Sequence, residues 1–156
     1  MLTTADCLQT LYAFAGSLGF GIIFRLRGKK LIFAALGGGL TWLLYLLLRN
    51  FLPNDFSCCF LASCFGAGYS EILARILKAP TTIFTMPAVI PLVPGGNLYR
   101  AMSGLISGDQ DLFTQQGETA LRTSFAIAVG ILLVLIISNS VVAFFRASRA
   151  SRTKRI

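Results

Sequence analysis

Residues 81–97 of the chain read TTIFTMPAVIPLVPGGN. This stretch is apolar enough for a membrane helix, yet three prolines interrupt it and two glycines follow: Pro87, Pro91, Pro94, Gly95 and Gly96. Each proline lacks a backbone N–H and obstructs the carbonyl four residues earlier, which predicts unpaired carbonyls at Ile83, Pro87 and Ile90. Unwound backbone at membrane depth is expected only where it lines a wet cavity or is buried in protein. The stretch therefore predicts a membrane helix broken near Pro94.

The apolar run around this break is short on one side and resumes on the other. Thirteen helical residues, 81–93, reach about 20 Å, whereas a hydrocarbon core is about 30 Å thick. Apolar residues return between 97 and 107, so we read residues 80–107 as one spanning segment broken in its middle. The alternative is a short span followed by a helix on the membrane surface, and hydropathy does not separate the two. It also leaves open whether residues 91–96 lie at the membrane midplane or at the outer surface.

Long apolar blocks fill the rest of the chain. The composition is 55% hydrophobic and 13% charged, roughly half the charged fraction of a soluble domain. The four remaining blocks cover about 5–24, 31–48, 56–77 and 119–145, with a polar connector at 108–118. We therefore predict an all-α, polytopic membrane protein with about five transmembrane helices. Residues 1–145 form a single transmembrane domain, and residues 146–156 form a basic tail.

The charge distribution predicts an orientation. The net charge is +8, but the basic residues cluster at the ends of apolar blocks and form no aromatic-interleaved stripe for a nucleic acid. Five spans with the loop 25–30 in the cytoplasm place eleven of the fourteen lysines and arginines on the cytoplasmic side. This arrangement predicts a multi-pass protein of the plasma membrane with its N-terminus outside and its C-terminus in the cytoplasm.

The residues that usually carry catalysis are scarce. The chain has no histidine, six acidic residues and four cysteines without a CxxC pair. Hydrolytic and metal chemistry usually needs more than this. We therefore predict no enzymatic activity, no catalytic residues, no bound metal and no cofactor.

The break is the predicted substrate site. Gly96 or Asn97 is suited to cap a second half-helix whose free N–H groups and partial positive charge would hold a carboxylate. Tyr99 and Arg100 follow in its first turn, and an arginine at membrane depth needs a partner. The predicted substrate-binding residues are Pro91, Pro94, Gly95, Gly96, Asn97, Tyr99 and Arg100. A proline-glycine run also ends helices without any site, which is the alternative.

A second polar feature lies in the third block. Glu71 and Arg75 are four residues apart on one helix, a spacing that allows an ion pair. The pair is either interfacial, with both side chains reaching the headgroups, or a cytoplasmic gate that meets the substrate as it enters.

Pairs of small residues four positions apart predict closely packed helices, since lipid supplies no hydrophobic force between them. These pairs are Ala15 with Gly19, Ser17 with Gly21, Ala34 with Gly38, Ala35 with Gly39, Ala62 with Gly66, and Ala126 with Gly130. The helices meet either within this chain or with partners.

Several stretches resemble a known family: Ser70-Glu71-Ile72-Leu73-Ala74-Arg75, Lys78-Ala79-Pro80, and Ile90-Pro91-Leu92-Val93-Pro94-Gly95 with Tyr99 and Gly108-Asp109. Together they resemble the C-terminal half of the threonine/serine exporter family. The length and layout are similar to the family's small stand-alone subunits. The resemblance covers 71–130 well and the first two blocks only by hydropathy.

This resemblance implies a bacterial plasma-membrane exporter built from two five-helix halves, of which this chain is one. It implies a larger membrane subunit as partner, and a small hydroxy amino acid or related carboxylate as substrate, within the lipid membrane. Some two-chain members export dicarboxylates such as succinate, which is an alternative. A non-transporting scaffold or assembly protein is another, and the small-residue faces are also compatible with a homo-oligomer.

Overall fold

A computed structural model describes residues 4–153, with side chains described for residues 4–141. Within these residues the chain is helical, with six α-helices and one 3-10 turn. The α-helices are α1 (Thr4–Ile23), α2 (Lys29–Arg49), α3 (Asp55–Ile76), α4 (Thr82–Val89), α5 (Gly95–Ser107) and α6 (Gln110–Thr153), and the 3-10 turn (Ile90–Leu92) follows α4. The prediction of an all-α chain is confirmed for this part of the molecule. The predicted tail falls partly on α6, and residues 154–156 lie outside the described residues.

Contacts between neighbours fix the direction of the first three helices. Helices α1 and α2 run antiparallel, because Phe14 contacts Gly39. Helices α2 and α3 are antiparallel as well, since the Tyr69 hydroxyl near the end of α3 donates to the Phe33 carbonyl near the start of α2, at 2.9 Å. One end of the bundle thus holds the last turn of α2 and Asp55 at the start of α3. We call it the Asp55 end.

Helices α4 and α6 complete the bundle. Phe84 of α4 shares an apolar core with Ala34 of α2, whereas Leu92 beyond α4 shares another with Tyr45, so α4 runs parallel to α2. Helix α6 packs on α3 and α5. It runs parallel to α3, because Ser63 lies on Gly130 and, further along both helices, Arg75 donates to Ser138. Helix α4 is the central element, packed against α1, α2 and α3.

Three helix pairs are held together by a hydroxyl side chain seated on a glycine. Ser17 of α1 sits on Gly38 of α2, Thr41 of α2 on Gly66 of α3, and Ser63 of α3 on Gly130 of α6. A β-carbon at any of these glycines would come too close to the neighbouring helix. The small residues therefore set the helix spacing, as the sequence pattern predicts. Five of the six predicted pairs contribute buried residues, whereas Ala15 and Gly19 are exposed.

Helix α6 begins earlier than the sequence predicts. The sequence places residues 110–118 in a polar connector, but only a two-residue turn separates α5 from α6. Gly108 ends α5 with a left-handed conformation (φ 77°) that glycine adopts without strain. The Asp109 carboxylate then accepts the Leu112 amide at 3.0 Å and caps α6. Gly104 of α5 packs against this start of α6, so tertiary contact makes the polar segment helical.

Three helices are long and apolar enough to cross a membrane: α2, α3 and α6 through Val141. Helix α4 with its 3-10 turn is apolar but shorter. The predicted blocks 5–24, 31–48 and 56–77 match α1, α2 and α3 to within two residues, whereas α6 extends beyond the predicted block 119–145 at both ends. The count of five spans stays a prediction.

The seat of Ser63 on Gly130 can be tested with two glycines of α6. A β-carbon at Gly130 would lie 2.9 Å from the Phe60 carbonyl oxygen, whereas one at Gly117 would meet nothing within 4 Å. We expect Gly130→Ala to destabilise the protein by about 1–3 kcal/mol through overpacking. Gly117→Ala should leave stability unchanged or raise it by up to about 1 kcal/mol, because alanine favours the helix. Thermal unfolding in detergent micelles measures both, and equal midpoints for the two variants would contradict the packing.

Candidate functional site

The polypeptide between α4 and α5 leaves helical geometry at the predicted place. Helix α4 ends at Val89, the 3-10 turn follows, and Pro94 precedes the first residue of α5. The expectation that the Ile90 carbonyl is unpaired is wrong, because it accepts the Val93 amide at 3.2 Å in the tighter turn. The predicted cap at Gly96 or Asn97 is also replaced, since α5 starts one residue before Gly96.

The break lies near the Asp55 end of the bundle. Residues beside Pro94 include Tyr45 in the last turns of α2, Asp55 at the start of α3, and Thr123 of α6. Helix α5 packs against the first part of α6, which precedes Thr123. The break is therefore at one end of the apolar bundle rather than half-way along it. Helix α5 and the start of α6 extend beyond the level of Asp55.

A cavity of about 220 Å³ opens at this break. Its lining comes from α2, α3, α6 and the broken segment: Trp42, Tyr45, Asp55, Cys59, Pro91, Leu92, Val93, Pro94, Gly96, Asn97 and Thr123. Two wider cavities adjoin it, of about 630 Å³ and 490 Å³, and Asp55 lines both of them as well. Asp55 thus stands where all three cavities meet.

The polar groups of the cavity are held in defined positions. The Tyr45 hydroxyl donates to the Asp55 carboxylate at 2.8 Å, which ties the end of α2 to the start of α3. The indole N–H of Trp42 is buried and has no hydrogen-bond partner among the described residues. The Thr123 hydroxyl donates to the Thr119 carbonyl at 2.8 Å. The cavity therefore holds one carboxylate, that of Asp55, whose position is fixed by the Tyr45 hydroxyl.

The first turn of α5 adds two more donors. The Gly95 amide is bonded to the Val93 carbonyl at 2.8 Å, and the Leu98 amide to the Pro94 carbonyl at 3.0 Å. Between them, the amides of Gly96 and Asn97 lie in the first turn, where no carbonyl of the helix is in reach. Both residues line the cavity. A helix N-terminus of this kind favours an anionic group.

The structure brings together four of the seven predicted substrate-binding residues. Pro91, Pro94, Gly96 and Asn97 line the cavity. Gly95, Tyr99 and Arg100 do not: all three are exposed, and Tyr99 keeps 76% of its surface accessible. Arg100 is exposed on α5 beyond the level of Asp55, and the ion pairs among the described residues do not include it. Their assignment to the site stays a prediction.

Glu71 and Arg75 form the predicted ion pair, joined by a residue that the sequence does not suggest. Arg75 donates to the Ser138 hydroxyl at 2.7 Å, and that hydroxyl donates to the Glu71 carboxylate at 2.7 Å. The direct contact between Arg75 and Glu71 is longer, at 3.4 Å. Thr81, just before α4, lies near the Glu71 carboxylate. We call Glu71, Arg75 and Ser138, with Thr81 beside them, the Glu71 cluster, and its hydrogen bonds join α3 to α6 at the end opposite Asp55.

The hydroxyl of Ser138 carries both hydrogen bonds between α3 and α6 in this cluster. Ser138→Ala should destabilise the protein by about 1–3 kcal/mol, because hydrogen bonds to charged groups are lost. Ser140 is exposed on the same helix, so Ser140→Ala should change stability by less than about 0.5 kcal/mol. Denaturant unfolding of the two variants in micelles gives the comparison. A Ser138→Ala variant as stable as the Ser140→Ala control would show that the cluster does not fasten α6.

Comparison with known proteins gives the family. A model of the family described as "Threonine/Serine exporter, ThrE" matches residues 9–137. The chain belongs to this family. The match includes the cavity, the break and almost all of the Glu71 cluster, with Ser138 just outside it. The family is one of exporters, and together with the apolar helices this describes a membrane-embedded, transporter-type protein.

One curated relative is a Haemophilus influenzae protein described as uncharacterized. It is 30% identical, over 79% of this exporter-family chain and 44% of its own length. The chain thus spans less than half of that relative. No solved structure matches the chain described here.

The residues that the sequence does not reveal as part of this site are Trp42, Tyr45, Asp55, Cys59 and Thr123. Asp55 immediately precedes the apolar block 56–77, and the others lie inside apolar blocks without a motif. The one feature of the sequence that could have indicated this site is the carboxylate of Asp55 at the start of a predicted membrane helix. Their convergence depends on how α2, α3 and α6 pack.

Proposed function

We propose that this chain is a subunit of a plasma-membrane exporter of threonine, serine or a related small carboxylate, and that it acts with a larger partner subunit. The observation that carries the proposal is the cavity at the helix break, which lies within the part of the chain that matches the exporter family. The chain's coverage of 44% of its relative supports the idea of a larger functional unit.

The substrate would bind in the 220 Å³ cavity. Its carboxylate would sit at the N-terminus of α5, on the amides of Gly96 and Asn97, which Pro91 and Pro94 expose by breaking the helix. Gly95 begins the helix that carries these amides, and Arg100, with Tyr99 beside it in the sequence, would attract the anion from outside the cavity. Broken helices form substrate sites of this kind in many transporters.

The Glu71 cluster would act as the gate at the opposite end. It joins α3 to α6 through side-chain hydrogen bonds beside the start of α4, and opening a path between α3 and α6 would require these bonds to break. In the orientation that the positive-inside rule favours, this end faces the cytoplasm and the Asp55 end faces outward. Five spans with an outside N-terminus and a cytoplasmic C-terminus then describe the bacterial protein.

Transport is tested in proteoliposomes that contain the chain purified from native membranes together with the hydrophobic chain that co-purifies. We expect saturable flux of radiolabelled L-threonine and L-serine. Asn97→Pro should lower the flux by about tenfold or more, since it removes one of the two backbone amides that would hold the carboxylate, while the first turn of a helix tolerates proline. Pro94→Ala should lower it as well, because the restored N–H lets the helix continue.

The matched control for these variants is Met102→Ala. Met102 lies on α5, is 56% exposed and does not line the cavity, so its truncation should leave the flux as it is. Unchanged flux in both Asn97→Pro and Pro94→Ala would place the substrate elsewhere. Absence of saturable flux and of any saturable binding would instead favour a scaffold or assembly protein, and flux of succinate alone would favour a dicarboxylate exporter.

A further inference from the structure

Asp55 is the only carboxylate among the described residues that line the cavity at the break. In that same part of the chain the ion pairs are Glu71 with Arg75 and Glu118 with Arg122, so Asp55 has no cationic partner there. Its hydrogen bond is the 2.8 Å contact from the neutral Tyr45 hydroxyl. A carboxylate accepts several hydrogen bonds, so Asp55 retains free acceptor positions at the junction of the three cavities.

The start of α5 contributes N–H donors to this cavity, namely the first-turn amides of Gly96 and Asn97, which no helical carbonyl reaches. The cavity therefore has an anionic acceptor at the start of α3 and N–H donors at the start of α5. A small molecule that matches it carries a cation and an anion at separate atoms.

We infer that the cavity binds a free α-amino acid as a zwitterion, with its ammonium group on Asp55 and its carboxylate on the amides of Gly96 and Asn97. Asp55 is thus a specificity-determining residue. The ammonium donates to the carboxylate in a charge-assisted hydrogen bond, while Tyr45 fixes the carboxylate from the other side. The inference rests on the proposed function. It adds the orientation of the substrate in the cavity, with the ammonium group towards α3 and the carboxylate towards α5.

The same arrangement rejects dicarboxylates. A second substrate carboxylate in place of the ammonium would face Asp55, and two like charges at contact distance repel each other. Arg49 and Arg122 line the adjoining cavities with Asp55 and not the cavity at the break, so they weaken this repulsion without pairing with the second carboxylate. Selectivity between the two substrate classes would follow from the charge at position 55.

The test measures equilibrium binding to the chain purified from native membranes with its co-purifying partner. Three probes are compared: L-threonine, N-acetyl-L-threonine, which lacks the ammonium, and L-threoninol, which lacks the carboxylate. We expect each truncated probe to bind at least about tenfold more weakly than L-threonine, because each leaves a charged or N–H group of the site unpaired. Succinate should not compete.

The variant Asp55→Asn identifies the group that recognises the ammonium. It should weaken L-threonine binding by at least about tenfold and leave N-acetyl-L-threonine binding unchanged, since only the first ligand loses an ion pair. Asn keeps an oxygen for the Tyr45 hydroxyl, and thermal unfolding checks that the variant remains folded. Asp111→Asn, an exposed change of equal charge outside the cavity, is the control and should bind all probes like the wild type.

The outcomes separate this inference from the proposed function. Equal binding of L-threonine and N-acetyl-L-threonine to the wild type would overturn the role of Asp55 while the proposed function stands. That role is also overturned if Asp55→Asn weakens both ligands equally, or if Asp55→Asn leaves L-threonine binding intact. No saturable binding of any probe to the wild type would overturn the proposed function itself.

Discussion

The close approach of helices through hydroxyl-bearing residues seated on glycines is the constraint on which the rest of the structure depends. Apolar side chains gain nothing by leaving lipid for another apolar surface, so the bundle relies on dispersion contacts and backbone proximity. Ser17 on Gly38, Thr41 on Gly66 and Ser63 on Gly130 form a series from α1 through α2 and α3 to α6. Two apolar cores, one towards each end of the bundle, form around this series.

The position of the break near the Asp55 end determines how its backbone groups are paired and where α5 begins. A break half-way through the membrane would have to satisfy unpaired backbone in hydrocarbon. Here the 3-10 turn pairs the Ile90 carbonyl, and the turn at Pro94 redirects the chain into a helix that leaves the bundle. The consequence of the prolines is thus a helix N-terminus beside the ends of α2 and α3, where the amides of Gly96 and Asn97 meet a cavity with a carboxylate.

The sequence predicts the helices well and the site in part. Charged and polar residues bound the apolar blocks, so the limits of α1, α2 and α3 follow from composition to within two residues. The start of α6 is missed because a polar segment becomes helical only when α5 packs on it. Pro91, Pro94, Gly96 and Asn97 are found from local backbone chemistry, which sequence records directly. Asp55 and Trp42 are missed because their place in the cavity depends on contacts between helices. Arg100 is expected in the site because it follows the break closely. In the structure it is exposed on α5 and does not line the cavity.

Helix α6 touches both polar regions of the molecule. Thr123 lines the cavity and Ser138 belongs to the Glu71 cluster, and the two lie about 22 Å apart on one uninterrupted helix. A rod of this kind cannot shorten between them. Helix α6 packs on α3 and α5, while an apolar groove separates it from α4. A rigid tilt of α6 that widens the cavity would therefore also move Ser138 relative to Glu71, except where the helix pivots at Ser138 itself. One rigid element thus serves both polar regions of the bundle.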